Sequence, residues 1–176
     1  MNKKPIMIAI TAASIGLVGF AIFRLRKYIG GQNMNISEKG LNAIKRYEGC
    51  RLTAYQDVKG VWTIGYGHTG DVFYGATITQ AEADALFRTD IQKFVDGVNR
   101  LLGSTKVNQN QFDALVSFAY NCGLTALKNS TLLRKVKANP NDPTIKDEFK
   151  KWVYSGGKYI QGLANRRASE SELYFA

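Results

Sequence analysis

The stretch Glu48-Gly49-Cys50-Arg51-Leu52-Thr53-Ala54-Tyr55-Gln56-Asp57-Val58-Lys59-Gly60-Val61-Trp62-Thr63-Ile64-Gly65-Tyr66-Gly67-His68-Thr69 decides how this chain is read. It sets two carboxylates and a hydroxyl in fixed order: Glu48, Asp57, Thr63. A short helical pattern precedes it, and a glycine-punctuated run follows. The expected local structure is a helix end with a hairpin folding back over it, which places two carboxyls on opposite walls of a cleft. Cleaving a glycosidic bond needs such a pair. One carboxylic acid protonates the leaving oxygen, while a second group across the sugar positions or activates water. The bare spacing equally fits a solvated glutamate, a turn aspartate and a strand threonine.

The wording around the three residues carries more than their spacing. Glu48-Gly49-Cys50-Arg51-Leu52, Ala54-Tyr55-Gln56-Asp57 and Trp62-Thr63-Ile64-Gly65-Tyr66-Gly67-His68 resemble the catalytic signature of the phage-type lysozymes, glycoside hydrolase family 24. Ala119-Tyr120-Asn121-Cys122-Gly123, Ser130-Thr131-Leu132-Leu133-Arg134 and Gly162-Leu163-Ala164-Asn165-Arg166-Arg167 follow in the family's order. The resemblance runs from about Ser37 to the C-terminus. It implies an α+β, mainly helical, lysozyme-like fold. A small antiparallel sheet lobe and a helical lobe are joined by a long helix near residues 79–103.

The resemblance also implies a reaction: hydrolysis, with inversion, of the β-1,4 bond between N-acetylmuramic acid and N-acetylglucosamine in peptidoglycan, lysing a bacterial host. Glu48 is then the general acid. Asp57 and Thr63 hold the attacking water and stabilise the developing sugar cation; a hydroxyl alone does not deprotonate water, so Thr63 is a positioner. Arg166 matches the family's arginine that faces the glutamate. Tyr66 and Asn121 are expected on the cleft wall, along with Tyr55, Phe118 and Tyr120. His68, the only histidine, is expected to be structural. In relatives a histidine here can pair with an acid just before the catalytic glutamate, and Tyr47 stands there instead. No metal or cofactor is implied, and the expected state is a monomer acting on glycan strands. The rival readings are a lytic transglycosylase, which needs no water-holding pair, a non-catalytic wall-binding protein, and a membrane-disrupting basic protein. Retention of Asp57 and Thr63 opposes the first, and the intact triad opposes the second.

Charge agrees with an anionic partner. The chain of 176 residues has 24 basic and 14 acidic side chains, a formal net charge of +10. Lys3, Lys4, Arg24, Arg26 and Lys27 precede Gly30, where there is no acid, leaving 19 against 14, or +5, for the remainder. That excess suits cell-wall polymer or anionic lipid; nucleic acid is disfavoured, because no recognition motif accompanies the charge. Cys50 and Cys122 lack metal-site spacing and read as small core residues, with a disulfide open to them only in an oxidising compartment.

Ile6 to Phe23 is an uncharged, mostly apolar run. As a helix its eighteen residues span about 27 Å, close to a hydrocarbon core of about 30 Å. Lysines precede it and no small-residue cleavage site follows, so residues 1–31 read as a signal anchor and linker before a catalytic domain over 32–176. Ala, Gly, Ser and Thr dilute the run, which resembles the signal-arrest-release segment of some endolysins. This places the chain at the host inner membrane with its catalytic part in the periplasm and a holin as possible partner. The basic cluster after the run opposes that orientation.

Along the rest, Ser37 is a predicted N-cap for a helix that carries Leu41, Ile44 and Glu48 on one face and stops at Gly49. A carboxyl on that apolar face is partly desolvated, which favours the protonated form an acid catalyst needs. Leu52–Gly70 predicts two or three short strands, with Asp57 at the turn and Thr63 on the return. Thr79 and Glu82 form a capping-box pattern ahead of a long helix. Asn108–Tyr120 reads as the central helix. Shorter helices are expected around 131–137, 143–154 and 163–174, the last two separated by Ser155-Gly156-Gly157-Lys158.

Overall fold

Each of the three principal helices starts on a side chain suited to capping. Ser37 accepts from the Gly40 amide and opens α1, Glu38–Glu48. Thr79 and Glu82 form a reciprocal capping box that opens α2, Gln80–Leu102. Asn108 and Gln111 do the same for α3, Gln109–Cys122. These bonds satisfy amides that a first helical turn leaves without partners. The computed structural model describes residues 33–57 and 59–176. The hydrophobic segment expected over Ile6–Phe23 lies outside the described residues. Among those described, no helix is long and apolar enough to cross a membrane.

Among the described residues the fold is mainly helical, with two small antiparallel sheets. Helix α1 stops at Gly49, whose φ of 68° lies in the left-handed region that a side chain disfavours. The chain turns there into β1, Arg51–Gln56, leaving Glu48 on the last helical turn. β1 pairs antiparallel with β2, Trp62–Gly65, setting Tyr55 opposite Thr63 and Gln56 opposite Trp62. Residues 76–78 join β1 through bonds from Ala54 N to Ala76 O and from Ile78 N to Leu52 O.

Helix α3 is the hub. Every residue from Gln111 to Ala119 is buried. It packs against α1, α2 and α7, Gln161–Tyr174. Helix α2 turns Phe87, Ile91, Val95, Val98 and Leu102 inward at helical spacing. Burying each such side chain contributes about 1.5–3 kcal/mol, so this shared core fixes α1 and α7 against each other through α3. Helices α4 (Leu124–Asn129), α5 (Thr131–Ala138) and α6 (Ile145–Lys150) close the remaining side.

Three expectations change. The helix expected over 143–154 is only α6; beyond it Tyr154–Ser155 (β3) pairs with Lys158–Tyr159 (β4) across Gly156-Gly157, so the expected break is a hairpin turn. Helix α4 was not expected. Cys50 and Cys122 carry free thiols and neither is buried: Cys50 is exposed and Cys122 intermediate. Cys50 sits just past the helix stop, where the chain leaves the core, and Cys122 is the last residue of α3.

Candidate active site

Glu48 owes its setting to two helices. As the last residue of α1 its side chain is 24 % exposed, and Arg166 of α7, 4 % exposed, reaches it with Nη1 at 2.7 Å from Oε1. Every edge of that guanidinium is engaged. Arg166 Nε donates to Glu170 Oε1 at 3.2 Å, and Nη2 donates to the Ser117 carbonyl at 3.4 Å. The Tyr47 ring lies 5.4 Å from Arg166 Cζ, and its hydroxyl donates to Ser169 Oγ at 2.6 Å on α7. Glu48 Oε2 has no hydrogen bond among the described residues, so it is available to a ligand.

Glu48 lines a cavity of about 400 Å³, whose wall also includes Tyr66, His68, Asp90, Lys93, Phe94 and Tyr120. Its volume suits a sugar-sized ligand. Tyr120 donates to the Tyr66 carbonyl at 3.0 Å. Burial, and then the Glu48 and Asp90 charges, push the Tyr120 hydroxyl well above the usual tyrosine range, so it remains a neutral donor. Burial is also the main reason that Tyr66 is raised.

His68 has a partner other than the one weighed from sequence. Its Nδ1 lies 2.8 Å from Asp90 Oδ2 on α2. Backbone bonds between Ile64 and His68 in both directions, 2.9 Å each, hold the ring over α2. The absence of an acid at position 47 therefore does not leave the histidine alone: an acid on the long helix takes its place.

Asp57 and Thr63 stand on the hairpin that follows Glu48 and are not part of that cavity's wall. Asp57 Oδ1 accepts from the Lys59 and Val61 amides, both at 2.8 Å, so the carboxylate pins the turn while Oδ2 is uncommitted among the described residues. Thr63 is 4 % exposed and donates its hydroxyl proton to Val61 O at 3.0 Å, which leaves its oxygen as an acceptor. Asn121 is off the cavity too, accepting from Arg167 Nη2 at 3.0 Å.

Sequence reasoning missed the cluster behind Arg166. Arg167, fully buried, donates from Nη2 to Glu170 Oε1 at 2.9 Å and from Nη1 to Cys122 Sγ at 2.8 Å. Its Nε lies 2.8 Å from Glu170 Oε2, an ionic contact without hydrogen-bond alignment. Ser117 donates to Glu170 Oε1 at 2.7 Å. Burial pushes the Glu170 carboxyl up from the ordinary range, opposed by Arg167, Ser117 and Arg166. The Arg166-Arg167 pair with an acid three and four residues on was the available signal, since that spacing lies on one helix face.

The Phage lysozyme family profile covers residues 45–170. The chain belongs to the phage lysozyme family. An endolysin of Bacillus phage B103 is 51 % identical over 144 residues, 80 % of this chain and 54 % of that protein. The chain thus spans about half the length of the curated relatives it first matches. A SAR-endolysin of Enterobacteria phage P21 is 38 % identical over 72 % of this chain and 76 % of its own length. Among solved structures, the muramidase domain of SpmX from Asticaccaulis excentricus superposes with a TM-score of 0.74 at 39 % identity, covering 81 % of this chain and 98 % of that one. The expected lysozyme-like family and mainly helical fold are therefore both found.

Proposed function

We propose that the chain is an endolysin that hydrolyses the β-1,4 bond between N-acetylmuramic acid and N-acetylglucosamine in peptidoglycan. The observation that carries the reading is Glu48, held at one oxygen by Arg166 and lining a sugar-sized cavity. Family membership supports it.

Glu48 Oε2 delivers its proton to the glycosidic oxygen as the bond breaks. Asp57, through the oxygen not used in its turn, takes a proton from the water that attacks the opposite face. Thr63 accepts a hydrogen bond from that water and aims it. The sugar then leaves with inverted configuration, because water rather than a carboxylate bonds to the anomeric carbon. Arg166 orients Glu48. Tyr66 supports the cavity wall, and His68 braces the hairpin against α2; Asn121 acts from farther back through Arg167.

The catalytic domain is residues 32–176, acting in the periplasm as a monomer on glycan strands. Ile6–Phe23 holds it at the inner membrane, and a holin assists its deployment. The apolar run and the similarity to a SAR-endolysin support this placement. Mass spectrometry of peptidoglycan digested by wild type and Glu48→Gln tests the chemistry. Reducing-end muramic acid products from wild type alone are expected; anhydro-sugar products, or a Glu48→Gln variant with a tenth of wild-type activity, overturn it. Fractionation of cells expressing Gly16→Leu/Gly19→Leu tests the anchor: more apolar, it is expected to retain the enzyme in membranes and delay lysis. Lysis on the wild-type schedule refutes release from the membrane.

A further inference from the structure

We propose that Glu170 is a positioning residue for the proposed acid: by occupying Arg166 Nε it restricts Arg166 to a single-point contact with Glu48, and Arg167 makes its burial tolerable. The inference rests on the reading of Glu48 as the acid.

An arginine free to rotate pairs with a carboxylate through two parallel N–H bonds, engaging both oxygens. Such a pair favours the carboxylate over the acid. Arg166 does not pair that way with Glu48. Its Nη1 meets Oε1 alone, at 2.7 Å, while Nε is bound to Glu170 Oε1 and Nη2 points to the Ser117 carbonyl. Three nitrogens with three partners on three helices leave the guanidinium one orientation. Glu48 Oε2 consequently keeps room for the proton it must give.

Glu170 is 3 % exposed, and an isolated carboxylate that deep is costly. Arg167 supplies the offset from the same helix, with Nη2 on Oε1 at 2.9 Å and Nε 2.8 Å from Oε2. Ser117 adds a hydroxyl donor from α3 at 2.7 Å. The Arg166 charge is thus shared between Glu170 and Glu48. Removing Glu170's negative charge exposes Glu48 to the full guanidinium, which favours its ionised form. The other groups facing Glu48 do not change with that removal: Tyr120 from α3, and His68, Asp90 and Lys93 around the cavity.

The test uses two full-length variants that remove the buried charges as a pair, so neither leaves an unmatched ion. Arg167→Met/Glu170→Gln keeps an acceptor for Arg166 Nε; Arg167→Met/Glu170→Leu removes it. Unfolding midpoints and rates against pH on solubilised peptidoglycan strands are measured for both, beside Glu170→Gln alone and Glu48→Gln. The leucine variant is expected to lose about tenfold or more in kcat with KM within about twofold, and the glutamine variant to recover most of that loss. In Glu170→Gln alone, where Arg167 keeps its charge, the alkaline limb of the pH–rate profile moves to lower pH. A purely structural role would lower stability without moving that limb or separating Leu from Gln. Folded variants with wild-type kcat and an unmoved limb, beside an inactive Glu48→Gln, overturn the positioning role and leave the acid role standing. Activity surviving in Glu48→Gln overturns both.

Discussion

Asp113 of the central helix binds Ser37 twice, accepting from its amide at 3.0 Å and from its hydroxyl. The same Ser37 oxygen caps α1, so one fully buried carboxylate fixes the start of the helix whose last residue is Glu48. Gly40 makes the approach possible. A β-carbon there would lie 2.7 Å from Asp113 Cγ and 2.8 Å from both Asp113 Cβ and Ile36 Cγ1. In an open helix Gly→Ala gains about 1 kcal/mol. Here the crowding is against a buried, doubly bonded side chain, so Gly40→Ala is expected to destabilise by about 1–3 kcal/mol. Urea unfolding decides it, and a stabilised variant refutes the packing argument.

What the sequence reveals and what it conceals divide by range. Ser37, the Thr79–Glu82 box and Asn108 announce helix starts because capping involves residues within one turn. Gly49 announces a stop for the same reason. Strands β3 and β4 have two residues each, too few for any alternation, and Ile145 and Phe149 simulate a longer helix beside them. Glu48 and Arg166 were named by resemblance. Asp90 and Ser117 were not, since their partners lie 22 and 53 residues away and side-chain pairing across elements leaves no local period; Glu170 leaves only the three- and four-residue spacing to Arg167 and Arg166 in the sequence.

The contact between His68 and Asp90 joins the sheet-bearing hairpin to the long helix. His68→Asn and Asp90→Asn are each expected to cost about 1 kcal/mol, and the double variant less than their sum. A double-mutant cycle measured by urea unfolding checks this. Strict additivity would mean that the pair contributes no coupling.

Asp57 offers a way to separate turn from chemistry. Its Oδ1 holds the Lys59 and Val61 amides, and an asparagine Oδ1 can accept the same two bonds. Asp57→Asn is therefore expected to keep the wild-type unfolding midpoint while losing about 10²–10⁴-fold in rate, because an amide cannot take a proton from water. Comparable activity in a fully folded Asp57→Asn enzyme would remove Asp57 from the proposed mechanism.

Glu148 of α6 is buried between Lys135 of α5, at 2.9 Å, and Lys151, at 2.8 Å. Burial pushes its carboxyl up, but the hydrogen bonds and charges of Lys151 and Lys135 together outweigh it, and the group sits below the ordinary glutamate range. A carboxyl depressed in the folded state releases its proton more readily there than in the unfolded chain. It therefore contributes stability at pH values above the unfolded value of about 4.3, and that contribution fades as pH falls through the lower folded value. Glu148→Gln is expected to be less stable than wild type by about 1–2 kcal/mol at pH 7. As pH is lowered below about 4.3, the two unfolding free energies should converge. A gap that stays constant between pH 7 and pH 3 would show that packing, and not the ion pair with Lys135 and Lys151, is what Glu148 provides.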